Sequence, residues 1–166
     1  FTTDPIDTLF VGTLLPLAQG QIDQAMTTLR QAETEFQRLP ISASFTLRLT
    51  ALKALVWLRL GRLEEAGQWA DTFSIPESEA QLQPLFAFPY LVWSRIRLAQ
   101  QNFGTLETVL PRLHQWAETQ NLNGILLETI LLQALMAQHQ NEPEKATTYL
   151  NQALIIAAPE GYMRLF

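Results

Sequence analysis

The amino-acid sequence predicts an all-α fold, a right-handed α-α superhelix of about four helical hairpins with a repeat of about 40 residues. The main observation is a short turn that recurs four times, each copy followed by an alanine or leucine. These following residues are spaced 41, 40 and 40 residues apart: Ala25, Ala66, Leu106 and Ala146. Such a period is typical of stacked repeats, in which no unit buries its apolar face alone. No segment shows the alternation of a β-strand.

Two more positions recur in register with the turn. The first residue of each turn is Gly20, Gly61, Gln101 or Asn141. The position seven residues earlier is always small: Thr13, Ala54, Ser94 and Ala134. The position nine residues later is always apolar: Leu29, Ala70, Leu110 and Leu150. Small side chains between helices allow a close approach, so this register predicts tightly packed hairpins.

The apolar stripes and turns place eight helices along the chain. They are expected near 6–19, 21–38, 44–60, 62–73, 86–101, 104–120, 124–140 and 143–157. The repeats are then approximately 5–39, 43–74, 85–121 and 123–158, in a single helical-repeat domain, 1–166, excised from a longer protein. The second helix of each hairpin has one apolar face, whereas 47–60 and 125–136 are apolar almost all round, which indicates inner helices.

Glycine, serine and proline mark the helix ends. Gly20 and Gly61 are typical of helix C-termini, and Ser42 or Ser44 can cap the third helix. Pro143 suits the first turn of the last helix. Pro16 and Pro111 fit poorly, and Pro16 is expected to kink or shorten the first helix. The segment 74–84 is expected to be a mobile surface loop.

Composition excludes several classes of function. The chain has no cysteine, so disulfides and thiolate metal sites are absent, and its net charge of −5 disfavours nucleic-acid binding. Its longest apolar stretch is too short to span a membrane. His114 and Glu118 lie one helical turn apart, but two ligands do not make a metal site. We therefore expect no metal, no catalytic residues, no nucleic acid partner, no membrane association and a cytoplasmic location.

Three segments resemble the tetratricopeptide-like superhelical domain of MalT-type regulators, the large ATP-binding members of the LuxR family of transcriptional regulators. The segments are 90–100, 128–135 and, most specifically, 158–166. The resemblance implies a sensor domain that receives an inducer and helps to control self-association. It also implies that ATP binds only a separate upstream domain, so no cofactor is expected here. The chain contains neither a phosphate-binding loop nor a basic recognition helix.

Candidate binding residues are polar and aromatic groups on the inner helices. If those helices line the concave side, a ligand or partner would contact Arg48, Tyr90, Trp93, Arg95 and Glu128. Aromatic rings beside arginine suit a planar or sugar-like ligand. The alternative is that Arg95 and Glu128 form a structural ion pair and that the aromatic residues belong to the core.

The leading hypothesis is a non-catalytic sensor domain of a MalT-like regulator, which binds a small-molecule inducer or a protein partner and relays the signal to self-association. A free-standing adaptor that binds a peptide is the alternative. The remaining tryptophans are expected to pack between helices: Trp57, Trp69 and Trp116.

Overall fold

The computed structural model describes residues 5–160, and these residues form helices with no β-strand among them. The eight helices are α1 (Pro5–Ala18), α2 (Ile22–Phe36), α3 (Ala43–Arg59), α4 (Leu63–Thr72), α5 (Ala87–Ala99), α6 (Phe103–Thr119), α7 (Asn123–His139) and α8 (Pro143–Glu160). Two short 3-10 turns, Glu79–Gln81 and Pro84–Phe86, lie between α4 and α5. The predicted all-α fold class of helical hairpins is confirmed.

The chain divides into two compact units, one up to Phe73 and one from Ser74 onward. In the first unit, α1 pairs with α2 and α3 with α4, while α3 also contacts both α1 and α2. In the second unit, α5 pairs with α6 and α7 with α8, and α7 also contacts α5 and α6. Each unit is therefore two stacked hairpins, and the organisation of 1–166 as a single domain stays a prediction.

The four turn positions share one backbone conformation. Gly20 and Gly61 have φ of 75° and 74°, as the sequence predicts for helix ends. Gln101 and Asn141 adopt the same left-handed conformation with φ of 57° and 58°. The repeated turn is therefore a backbone feature, and glycine is its least strained occupant.

The small-residue position lies in the core of every repeat. Thr13, Ala54 and Ser94 are fully buried, and Ala134 is 4% exposed. The apolar position nine residues after the turn is buried in repeats one to three but exposed at Leu150. The apolar stripe predicted on α8 is thus only partly covered among the described residues.

The helix ends follow ordinary capping chemistry. Phe45 donates its backbone N–H to Ser42 Oγ at 3.2 Å, which caps α3, and α8 begins at Pro143. Pro16 lies in the last turn of α1, which continues to Ala18, so the expected shortening is not observed. Pro111 also lies inside a continuous helix, α6.

The segment 74–84 has anchors that its composition does not reveal. Ile75 and Leu82 are buried, and Arg112 Nη1 donates to the Glu77 carbonyl oxygen at 2.8 Å. The segment contains no α-helix, but it is part of the second unit and buries two of its apolar side chains. Of the string 158–166, residues 161–166 lie outside the described residues.

Candidate functional site

Arg95 and Glu128 form an ion pair between α5 and α7. Arg95 Nη2 donates to Glu128 Oε2, and the two side chains are 31% and 32% exposed. The two residues lie on neighbouring first helices of the second unit. The structural ion pair that the sequence allows as an alternative to a binding role is therefore present. About a third of each side chain is still accessible to solvent.

Tyr90 and Trp93 are buried residues of α5, the helix that also carries Arg95. Tyr90 is 2% exposed and Trp93 is 6% exposed. The Tyr90 ring packs edge-on against Trp116, with ring centroids 6.0 Å apart, and the Gln83 N–H donates to the Tyr90 hydroxyl at 3.4 Å. Burial raises the pKa of Tyr90, and the hydrogen bond from Gln83 partly offsets this effect. Both rings therefore offer little area to a ligand, and their predicted binding role stays a prediction.

Arg48 belongs to the first unit, on α3. It is half-buried, and its guanidinium carbon lies 4.8 Å from the centre of the Phe10 ring on α1. This distance is typical of a cation–π contact, which gives Arg48 a packing role between neighbouring first helices. A role of Arg48 in binding likewise stays a prediction.

The sequence did not reveal a concavity on the first unit, where α2, α3 and α4 meet. It has a volume of about 310 Å³. Its lining combines carboxylate, ammonium, hydroxyl, amide and indole groups: Glu33, Thr50, Lys53, Trp57, Glu65, Gln68, Trp69 and Thr72. Small-molecule sites usually start at about 300 Å³, so the volume suits a small ligand.

Most polar groups of this concavity already have a protein partner. Lys53 Nζ lies 2.7 Å from Glu33 Oε1 and 5.3 Å from the centre of the Trp57 ring. Trp69 Nε1 donates to Thr50 Oγ1 at 3.1 Å. Gln68 is exposed, and its side-chain amide makes no hydrogen bond to the described residues. The concavity is therefore preorganised, with one free amide available for a ligand.

A second concavity of about 300 Å³ shares Glu33 and Lys53 with the first. Its other lining residues are mostly apolar: Phe36, Gln37, Ile41 and Leu49. The Glu33–Lys53 pair thus borders a polar and an apolar depression on the same side of α3. In the sequence, the only signal for this arrangement is the pair Trp57 and Trp69, for which the pattern predicts packing between helices.

The packing role predicted for the tryptophans agrees with their burial, except at Trp57. Trp69 and Trp116 are buried, and Trp69 stacks on Phe73 with ring centroids 5.4 Å apart. Trp57 is only half-buried, with the Lys53 ammonium over its ring. Trp57 is therefore the more exposed of the two tryptophans that line the first concavity.

The histidines give no sign of a metal site. His114 Nδ1 lies 2.8 Å from Gln133 Oε1, which links α6 to α7, and the His139 ring lies 6.1 Å from the Phe103 ring. No group of three or more His, Asp or Glu suited to a metal ion occurs within residues that the structure describes. Over the same part of the chain, no helix has the length and apolarity to cross a membrane.

The hairpins, the repeated left-handed turn and the small buried column define a helical-repeat protein of the tetratricopeptide class. The family model described as "MalT-like TPR region" matches residues 8–166. The chain belongs to this MalT-like family.

Two curated relatives have the same printed description, HTH-type transcriptional regulator MalT. The one from Vibrio campbellii is 23% identical over 155 residues, and the one from Vibrio parahaemolyticus is 21% identical over 155 residues. Both alignments cover 92% of this chain but only 17% of the relative. The chain therefore spans about a sixth of the length of these relatives. No solved structure gives a significant match.

Proposed function

We propose that this chain is a non-catalytic sensor and interaction domain of a MalT-like LuxR-family transcriptional regulator in the cytoplasm. It would receive a small-molecule inducer or a protein partner and relay that event to self-association and transcription activation. The family match and the relatives' description as transcriptional regulators support this proposal. ATP and DNA binding would then belong to other domains of such a regulator, with no cofactor bound here.

The observation that carries the proposal is the 310 Å³ concavity between α2, α3 and α4. We propose that it receives the inducer, because it offers an indole face at Trp57, an ammonium at Lys53 and a free amide at Gln68 within one preorganised depression. A small ligand with a planar or apolar face and hydrogen-bonding edges fits that chemistry. Because Lys53 is held by Glu33, it can donate a hydrogen bond to a carbonyl or hydroxyl oxygen with little loss of side-chain entropy.

A second candidate is the Arg95–Glu128 pair, which the sequence indicated first. One third of each side chain is accessible, so a charged segment of a partner could contact both groups. In this proposal Tyr90 and Trp93, which are buried on α5, do not contact the partner. Arg48, in the other unit, is assigned to neither contact.

A reporter assay in a full-length regulator that contains this chain separates the candidates. Gln68→Ala removes the free amide of the concavity and should abolish or strongly weaken induction. Gln24→Ala replaces an exposed glutamine on α2 that does not line the concavity; it is the matched control and should leave induction unchanged. Loss of induction in Arg95→Ala alone would favour the second candidate. Normal induction in both variants would refute both sites.

A further inference from the structure

The concavity where α2, α3 and α4 meet carries more negative than positive charge. The charged groups that line it are the carboxylates of Glu33 and Glu65 and the ammonium of Lys53. Lys53 Nζ lies 2.7 Å from Glu33 Oε1, so these two charges compensate each other. The charge that the lining leaves uncompensated is therefore the negative charge of Glu65.

Glu65 has its ion-pair partner outside the lining. Arg62, which directly precedes α4, donates its Nε–H to Glu65 Oε1 at 2.7 Å. The two side chains are 50% and 34% exposed, and exposed pairs of this kind contribute little to stability because water screens both charges. The hydrogen bond from Arg62 also lowers the pKa of Glu65, so the carboxylate is ionised at neutral pH. A ligand cation can therefore share Glu65 with Arg62 at little cost to the fold.

Indole rings supply the aromatic part of the lining. The Lys53 ammonium lies 5.3 Å from the centre of the Trp57 ring while it contacts the Glu33 carboxylate. A cation beside a carboxylate and over an indole ring is a favourable arrangement, because the face of the ring is electron-rich. The concavity thus already accommodates one ammonium group from its own chain.

The other hairpins do not keep these groups. The position of Glu65, four residues after the start of the turn, has other polar residues in the remaining repeats: Gln24, Thr105 and Lys145. The position of Trp57, four residues before the turn, has residues without an indole ring: Pro16, Arg97 and Ala137. All four hairpins form, so the fold itself requires neither a carboxylate nor an indole at these positions.

We propose that the concavity binds a small organic cation, an amine with a planar apolar body, and that Glu65 is the counter-charge of that amine. The planar body would lie against Trp57, and the ammonium would lie beside Glu65. An anion of the same shape is disfavoured because Glu33 already neutralises Lys53 and because Glu65 repels it. This inference rests on the proposed inducer site and adds the charge of its ligand.

Three indole compounds of similar size separate the effect of charge from that of shape. Tryptamine is a cation at neutral pH, tryptophol is uncharged and indolepropionate is an anion. Each unlabelled compound is titrated into the isotope-labelled 1–166 chain at low ionic strength, and the indole N–H signals of Trp57 and Trp69 report its binding. Tryptamine should bind at least about tenfold more tightly than indolepropionate, and added salt should reduce this ratio.

Two glutamine variants test the role of Glu65. Glu65→Gln should reduce the ratio of the two affinities to less than about twofold, because it removes the counter-charge, and it should leave tryptophol binding unchanged. Glu64→Gln is the matched control, since Glu64 is an exposed neighbour that does not line the concavity. This control changes the net charge of the chain by the same amount and should keep most of the preference for tryptamine.

Three results would overturn the proposal. Equal affinity for the three compounds, or tighter binding of indolepropionate, would show that the concavity does not select a cation, although it would still be a binding site. An equal loss of preference in Glu65→Gln and Glu64→Gln would assign the attraction to the net charge of the chain. Unchanged Trp57 and Trp69 signals with all three compounds would exclude aromatic amines as ligands, whereas the Gln68→Ala reporter assay tests the inducer site itself.

Discussion

The Arg95–Glu128 ion pair links two consecutive hairpins, and its contribution to stability can be predicted from its charges and exposure. Two unit charges about 4 Å apart near a protein surface attract by about 4 kcal/mol. Ordering an arginine and a glutamate side chain costs up to about 2 kcal/mol for each when it is complete, and partial desolvation opposes the pair further. Because each side chain is about a third exposed, we expect a net coupling of about 1 kcal/mol.

A double-mutant cycle measures this coupling directly. Arg95→Ala, Glu128→Ala and the double variant are unfolded with urea, and the coupling is the non-additive part of the free energy of unfolding. Each single variant should lose about 1–2 kcal/mol, less than the 3–5 kcal/mol of a fully buried pair. The Glu33–Lys53 pair, at 32% exposure for both side chains, is the matched control and should show similar coupling. Additive losses at Arg95 and Glu128 would refute the structural pairing.

Three smaller predictions follow from single residues. Burial raises the pKa of Tyr90 above its ordinary value of 10.0. The stability that the neutral Tyr90 side chain contributes is therefore complete below pH 10.0 and is lost as the pH rises through the folded-state pKa. Tyr90→Phe should consequently flatten the alkaline limb of a stability-versus-pH curve. Gln101→Gly should raise stability by about 1 kcal/mol and Gly61→Ala should lower it by about 1 kcal/mol, because both positions have positive φ; thermal melts that show the opposite signs would contradict this. Thr13→Val should leave stability unchanged or raise it by about 1 kcal/mol, because the buried Thr13 hydroxyl has no hydrogen-bond partner among the described residues, and a clear loss in urea unfolding would count against this.

Much of the fold could be predicted because the same sequence signals occur in all four repeats. The turn position, the small position and the apolar stripe each constrain the helix boundaries, and the observed helices begin and end within three residues of the predicted ones. The left-handed turns at Gln101 and Asn141 were less visible, since neither residue is glycine. Only their alignment with Gly20 and Gly61 indicates the conformation.

The candidate site was harder to predict because burial depends on how neighbouring helices pack. Arg95 and Glu128 were correctly brought together by their positions on adjacent first helices. Tyr90 and Trp93 share α5 with Arg95, but both are buried, and the Tyr90 ring packs against Trp116. The sequence predicts that Trp57 packs between helices, whereas in the concavity where α2, α3 and α4 meet it is half-exposed. A periodic pattern shows which residues share a helix face. It does not show how deep a concavity is, because that depth depends on how three helices pack together.

The most direct test of the sensor hypothesis uses the four tryptophan indole N–H signals in nitrogen–proton correlation spectra. Trp57 and Trp69 line the concavity of the first unit, whereas Trp93 and Trp116 lie in the core of the second. A small-molecule extract from cells in which the regulator is active serves as the probe, with an extract from inactive cells as the control. We predict that the active extract shifts the Trp57 and Trp69 signals and leaves the other two unchanged. Shifts confined to Trp93 and Trp116, or no difference between the extracts, would contradict the proposed inducer site.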